Sequence, residues 1–247
     1  MAAKQRVDQL LVTRGLAENR TRAQALILAG TVYAGEIRLD KPGHQIAEDI
    51  DIEVRGRPHP WVSRGGIKLA HGLERFSLSV AGKICVDIGS STGGFTDVLL
   101  QNGAARVYAV DVGRGQLDWK LRNDDRVVVL EGVNARHLNE SNVSKAASIV
   151  VCDASFIGLR TVLPPALNMA APEAALIALI KPQFEVGKGR VGKGGVVRDE
   201  SLHEEVCQTI RDWLTDDMEW EVGGIEKSPI TGPKGNIEFL IYATRRP

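Results

Sequence analysis

The sequence predicts an α/β protein in which a mostly parallel sheet, covered by helices on both faces, follows a small α+β domain. Three observations carry this. From Ile84 onward, short apolar runs near 84–88, 106–110, 126–130, 148–152 and 174–180 alternate with helical patterns near 94–101, 115–121, 158–169 and 201–214, the rhythm of β-α-β units. The first apolar run, Ile84 to Ile88, passes directly into Gly89, Gly93 and Gly94 and then into the helical pattern Phe95, Val98, Leu99. The first fifty-five residues have another rhythm: two short helical stripes, then short strands, then a stretch rich in Pro and Gly. The predicted division is residues 1–55, a linker at 56–62, and a second domain at 63–247.

In the first domain, Val7, Leu10 and Leu11 form one helical stripe and Ala25, Leu26, Leu28 and Ala29 another. Gly15 and Gly30 stand where each helix ends. Asn19 or Thr21 caps the second, whose first turn carries Arg20 and Arg22. Positive charge there opposes the helix dipole but suits a meeting with phosphate. Strands follow at 31–36 and 46–54, with Pro42-Gly43 as a turn. In the second domain, the last two strands, near 219–225 and 236–243, have no helix between them and read as an antiparallel pair at the sheet edge.

The 247 residues carry 31 basic and 31 acidic groups, so no global charge points to nucleic acid. Local excesses do. Residues 1–30 hold five basic groups against two acidic, and 181–198 hold five against one. The latter segment, Gly187-Lys188-Gly189-Arg190-Val191-Gly192-Lys193-Gly194, nearly spells a P-loop, but Gly194 stands where a Ser or Thr would ligate magnesium. It reads as a mobile basic lid over RNA phosphate. Cys85, Cys152 and Cys207 are few and far apart, as in a reduced cytoplasmic protein. No metal-ligand spacing, signal core or membrane-length apolar run is present, so neither metal nor membrane is expected.

Ligands of open α/β sheets bind at the carboxyl ends of the strands. Polar residues stand at all five predicted ends: Asp87 with the glycine turn, Asp111, Glu131 with Asn134, Asp153 and Lys181. Asp111 lies where an acid accepts from ribose hydroxyls, and Glu131 and Asn134 where adenine would lie. Asp153 and Lys181 end neighbouring strands and should face one another. A lysine held by a carboxylate is a candidate acceptor for a hydroxyl proton.

The turn Asp87-Ile88-Gly89-Ser90-Ser91-Thr92-Gly93-Gly94-Phe95 resembles motif I of S-adenosylmethionine-dependent methyltransferases, which implies S-adenosylmethionine as cofactor with Asp87, Gly89, Ser90, Ser91, Thr92, Gly93, Gly94, Phe95, Asp111, Glu131, Asn134 and Asp153 around it. The segments Arg6-Val7-Asp8-x-Leu10-Leu11 and Arg20-x-Arg22-Ala23-x-x-Leu26-Ile27-x-x-Gly30 resemble the RNA-binding domain of ribosomal protein S-four type. Trp61-Val62-Ser63-Arg64-Gly65-Gly66-x-Lys68, Asp153-x-Ser155-Phe156-Ile157, Lys181-Pro182-Gln183-Phe184-Glu185 and Gly195-Val196-Val197-Arg198-Asp199 extend the likeness over nearly the whole chain. Together these resemble the TlyA (hemolysin A) family, whose catalytic domain is FtsJ-like.

The resemblance implies a Rossmann-like class I methyltransferase sheet and ribose 2′-O-methylation of ribosomal RNA, at cytidine in the large subunit and by extension the small one. It implies a catalytic tetrad of Lys68, Asp153, Lys181 and Glu238, the last in an edge strand. RNA contacts are expected from Arg6, Arg20, Arg22, Lys41, Arg64, Lys188, Arg190 and Lys193, in a monomer or weak dimer meeting a ribosomal subunit. One departure lies in the linker, where His59, followed by Pro60, stands at the place of the family's arginine two before the tryptophan. Spacing alone does not single out Lys68. The rival functions are a membrane-lytic protein, which liposome lysis would reveal, and a non-catalytic ribosome assembly factor, which a labelled methyl donor would exclude.

Overall fold

A computed structural model describes residues 4–17, 19–55 and 59–245. The chain forms two compact units, Met1–Arg64 and Gly65–Pro247.

The first unit runs β1 (Lys4–Arg6), α1 (Val7–Thr13), α2 (Arg20–Leu28), β2 (Val32–Ala34), β3 (Ile37–Arg38), β4 (Gln45–Ala47) and β5 (Glu53–Val54). Its core is Val7, Leu10 and Leu11 from α1 with Ala23, Ile27, Val32 and Ile46. Asn19 caps α2, its Oδ1 accepting from the Arg22 N–H at 2.8 Å. Two expectations are corrected. The buried stripe of α2 is Ala23 and Ile27, and Leu28 is exposed; all five residues from Ala25 to Ala29 are apolar, which left its phase undetermined. The predicted strand 46–54 is two strands, because the chain turns at Ile50, whose N–H reaches the Ala47 carbonyl. β4 pairs with β1, which periodicity did not predict, and β5 pairs with β2.

The second unit runs α3 (Gly65–Arg75), β6 (Ile84–Ile88), α4 (Gly94–Gln101), β7 (Arg106–Asp111), α5 (Trp119–Arg122), β8 (Val127–Glu131), β9 (Ile149–Cys152), α6 (Leu159–Val162), α7 (Pro164–Asn168), β10 (Ala175–Ile180), α8 (Pro182–Glu185), α9 (Glu200–Asp212), β11 (Trp220–Lys227) and β12 (Phe239–Arg245). One seven-stranded sheet has the order β11-β12-β10-β9-β6-β7-β8. β6 to β10 are parallel, and β12 runs antiparallel to both its neighbours. β9 and β10 are buried at every position, as expected for strands covered on both faces. The antiparallel pair does close the sheet, with β11 outermost and β12 inside. Glu238 precedes β12 instead of lying in an edge strand.

Two predicted helices are shorter than their patterns. The 158–169 pattern divides at Pro164-Pro165, which lack N–H donors and start α7 afresh. The 115–121 pattern is helical only from Trp119, with Asp118 capping it; before it, Gly113 to Leu117 form a loop over the carboxyl ends of β7 and β8. Strand order reverses between β6 and β9, so ligands are expected above that gap.

Candidate active site

A cavity of about 420 Å³ opens at this switch point. Its walls include Gly89 and Ser91 after β6, Asp111 and Gln116 after β7, Asn134 after β8, and the run Asp153 to Ile157 after β9. Gly89 has φ +80°, and a Cβ there would stand 2.8 Å from the Ala154 backbone. Only glycine lets the two strand ends approach so closely. Gly93, at φ +95°, leaves room for Leu117 and Leu121.

The predicted cofactor residues fall into three groups. Gly89, Ser91, Asp111, Asn134 and Asp153 line the cavity. Ser90, Thr92, Gly93, Gly94 and Phe95 are outside its lining and shape the turn into α4. Asp87 and Glu131 lie behind the wall. The Asp111 carboxylate accepts from the N–H groups of Ser91 (2.8 Å) and Gly113 (2.7 Å), fastening two loops around one acid. Glu131 accepts from the N–H groups of Gly115, Gln116 and Leu117 and from Arg122 at 2.6 Å. These donors hold its carboxyl down at about 2, Arg122 contributing most. Glu131 is therefore the clamp of the loop and not part of the lining. Sequence reading missed Gln116, whose side chain accepts from the Ser91 hydroxyl at 3.2 Å.

Asp87 is fully buried. Its Oδ2 accepts from the Thr96 hydroxyl at 2.6 Å, tying β6 to α4, while Oδ1 has no hydrogen-bond partner among the described residues. Burial pushes its carboxyl up to about 7, against the Thr96 hydrogen bond and helped by Asp153 and Asp111. Three carboxylates thus crowd this end of the sheet, and a cation placed there relieves their repulsion.

The second feature of the site is a charged cluster. α3 buries Leu69, Gly72 and Leu73, and the same face carries Lys68 inward. Lys68 Nζ donates to Glu238 Oε2 at 2.7 Å and lies 3.5 Å from Asp153 Oδ2. Lys181, at the end of β10, brings Nζ to 2.6 Å from Asp153 Oδ1 and donates to the Asp153 carbonyl (3.0 Å) and the Ser155 hydroxyl (2.9 Å). The Asp153 Oδ1 contact is an ion pair without hydrogen-bond alignment. Both lysines and Glu238 are buried, whereas Asp153 reaches the cavity. Two ammonium groups against two carboxylates balance, the condition for keeping such charges out of water. The four predicted catalytic residues are brought together across 170 positions of sequence.

Phe156 lines the cavity mouth with φ +67°, 90% exposed, its ring 5.2 Å from that of Phe184. The half-buried Glu185 carboxylate supports this loop by accepting from the Leu159 N–H at 2.7 Å, and partial burial pushes its carboxyl up. The signal for Phe156 was available in the Asp153-x-Ser155-Phe156 run, but sequence alone does not distinguish an exposed aromatic from a core one.

A profile of the FtsJ-like methyltransferases matches residues 61–245. TlyA of Mycobacterium tuberculosis, named a 16S/23S rRNA (cytidine-2′-O)-methyltransferase, is 46% identical over 243 residues, 98% of this chain and 90% of that protein. The chain belongs to the TlyA group of the FtsJ-like methyltransferase family. Hemolysin A of Brachyspira hyodysenteriae is 42% identical over 96% of this chain and 98% of its own. A solved structure of a hemolysin-named protein from Streptococcus thermophilus superposes with TM-score 0.78 at 43% identity, covering 100% of this chain and 90% of the other. At 14% identity and TM-score 0.50, the magnesium protoporphyrin IX methyltransferase of Synechocystis, solved with S-adenosylhomocysteine, shares the fold over 74% of this chain and 82% of its own. As an FtsJ-like methyltransferase the chain uses S-adenosylmethionine, and the cavity fits it: Asp111 and Asp153 line it and an unpartnered Asp87 oxygen lies behind them, an acidic setting that suits a cationic ligand.

The predicted RNA-contact residues lie outside this cavity. In the first unit, Asp8 is buried and accepts from Arg6 through two bonds of 2.9 Å, from Arg20 at 2.9 Å and from Gln24 at 2.9 Å. These bonds, Arg6 first, hold its carboxyl far below the usual carboxylate range. Asp8, which sequence reading did not select, thus aligns Arg6 and Arg20 side by side, both partly exposed. Arg22, Lys41 and Arg64 are exposed. In the second unit, Arg190 forms a bidentate pair with Glu205 at 2.5 Å, and the loop is tied down by Lys234 Nζ to the Gly194 carbonyl and Asn236 Nδ2 to the Gly195 carbonyl. These contacts tether the segment expected to act as a mobile basic lid. Lys193 is exposed, and the side chain of Lys188 lies outside the described residues.

Proposed function

We propose that this protein methylates the ribose 2′-hydroxyl of a cytidine in ribosomal RNA, chiefly of the large subunit. The observation that carries the reading is the cluster of Lys68, Asp153, Lys181 and Glu238 beside the cofactor cavity. Ring-nitrogen acceptors present a free lone pair, whereas a ribose hydroxyl must lose a proton. An amine held beside the reaction space suits that task.

S-adenosylmethionine supplies an electrophilic methyl group on a sulfonium. The residues supported for holding it are Gly89, Ser91, Asp111, Asn134 and Asp153, with Asp87 as a buried counter-charge. In this reading Lys181 takes the hydroxyl proton, Asp153 orients Lys181, and Lys68 with Glu238 fixes Asp153 and the ribose. The target nucleotide leaves its stack to reach the cavity, as for other enzymes acting inside structured nucleic acid. Phe156, exposed at the mouth, is available to stack on its base.

The first unit, read as an S-four-like RNA-binding domain over residues 1–55, would grip a structured rRNA element through the Arg6 and Arg20 pair with Arg22 and Lys41. Arg64 and the 188–193 loop would add phosphate contacts. The partner is then a ribosomal subunit, the compartment the cytoplasm, and the working form a monomer or weak dimer.

The test is methyl transfer from labelled S-adenosylmethionine to ribosomal subunits from cells lacking the gene, with 2′-O-methyl positions mapped. Wild type is expected to label one cytidine ribose, and Lys181→Ala to label none while binding RNA within a few fold of wild type. Label on a base, or turnover by Lys181→Ala, overturns the reading.

A further inference from the structure

Lys181 is not on the cavity wall. Its side chain is only 6% exposed, and the cavity lining there is Asp153, Ala154 and Ser155. The groups facing Nζ are the Asp153 carboxylate and carbonyl and the Ser155 hydroxyl, with Lys68 and Glu238 beyond Asp153. Ser155 is exposed, its Oγ is 2.9 Å from Nζ, and it lines the cavity. A hydroxyl entering the cavity therefore meets Ser155 Oγ or Asp153 before it meets the amine. The Asp153 carboxylate is already committed to Lys68 and Lys181. A serine hydroxyl can accept one proton and release another in the same step.

We propose that Ser155 is the proton relay between the substrate hydroxyl and Lys181. This rests on the reading of the site as a ribose 2′-O-methyltransferase with Lys181 as base. Before the step Lys181, which donates to Ser155 Oγ in the resting site, releases one proton to solvent; the neutral amine then accepts the hydrogen bond of the Ser155 O–H, which turns an oxygen lone pair toward the cavity. As the new O2′–carbon bond forms at the methyl group, the carbon–sulfur pair stays with sulfur. The 2′ proton passes to Ser155 Oγ, and the proton of Ser155 passes to Nζ. The products are a methyl ether, a neutral thioether and an ammonium at Lys181. One proton leaves the substrate and one arrives at the amine, so the step balances without any further reagent.

The test compares Ser155→Ala, Ser155→Thr and Lys181→Ala in the full chain, by single-turnover methyl transfer to ribosomal subunits and by calorimetric binding of S-adenosylmethionine without RNA. Ser155→Ala is expected to slow transfer by about 100-fold, the low end for a lost proton-transfer group. Its cofactor affinity and RNA half-saturation should remain within about threefold of wild type, roughly the scatter of a surface substitution. Ser155→Thr, which keeps the hydroxyl, should recover most of the rate. Ser155→Ala transferring at near the wild-type rate, Ser155→Thr no faster than Ser155→Ala, or a loss of cofactor affinity that accounts for the rate, each overturns the relay. Turnover by Lys181→Ala overturns instead the base assignment beneath it.

Discussion

Asp87 carries a consequence in pH. Its folded carboxyl titrates near 7 and its free one near the usual 3.8, so the native state binds an extra proton between those values. The associated stability is fully present below about pH 4 and lost as pH rises through 7. Denaturant unfolding at pH 5.5 and pH 8 should show wild type losing stability on the way up, and Asp87→Asn losing less. By the same linkage a cation in the cavity prefers the ionised acid. S-adenosylmethionine should bind more tightly at pH 8 than at pH 6, and Asp87→Asn should flatten that trend in calorimetry. Lys68 makes the complementary case. Removing it by Lys68→Met leaves Glu238 charged and buried, which should cost about 3 kcal/mol. Lys68→Met with Glu238→Gln should recover part of the loss, since no unpaired charge remains; a cycle of unfolding measurements reads the coupling. At this scale sequence reading found the acids but not their division of labour. It grouped Asp87, Asp111 and Glu131 as one set, and only the hydrogen bonds separate a buried counter-charge, a wall residue and a loop clamp.

Among the elements, the loop from Gly113 to Leu117 answers to Glu131, which lies outside the cavity. Glu131→Gln removes the charge that three backbone N–H groups and Arg122 share. Affinity for S-adenosylmethionine should fall several-fold, with the single-turnover rate at saturating donor little changed. A rate loss without an affinity loss would contradict the clamp. Strands β6 to β10 were legible because buried parallel strands are continuous apolar runs, and their ends fell within a residue or two of the pattern. Helices were less so. The 158–169 pattern ignored two prolines, the 115–121 pattern mistook a clamped loop for helix, and α2 was read with the wrong face inward. The causes differ: prolines without N–H donors divide the first, N–H groups captured by Glu131 keep the second from being helical, and an unbroken apolar run leaves the phase of α2 open. Periodicity reports which side chains are apolar, and it is silent on which N–H groups a distant carboxylate will capture.

For the molecule as a whole, the first unit's basic residues should govern grip and the second unit's cluster chemistry. Arg6→Ala with Arg20→Ala is expected to weaken binding to ribosomal subunits and to flatten its salt dependence by one to two charges' worth, about −0.7 to −0.9 in slope per phosphate contact. Methyl transfer at saturating subunit should persist. Binding titrations at several salt concentrations check this, and an unchanged slope would remove both arginines from the interface. Asp8→Ala should act in the same direction, since it frees two guanidinium groups that the buried carboxylate now aligns.

Local sequence determined the strand-turn-helix at Gly89 to Gly94, the parallel sheet and the order of polar strand ends, because strand and turn signals are short-range. The likeness to a family, and not spacing, brought forward Lys68 and Glu238. Tertiary structure alone decided that Lys68, Asp153, Lys181 and Glu238 form one charged cluster, that Ser155 stands between Lys181 and the cavity, and that Asp8 gathers Arg6 and Arg20. These depend on contacts across many tens of residues, where the partner of a buried charge is chosen by how helices and strands pack.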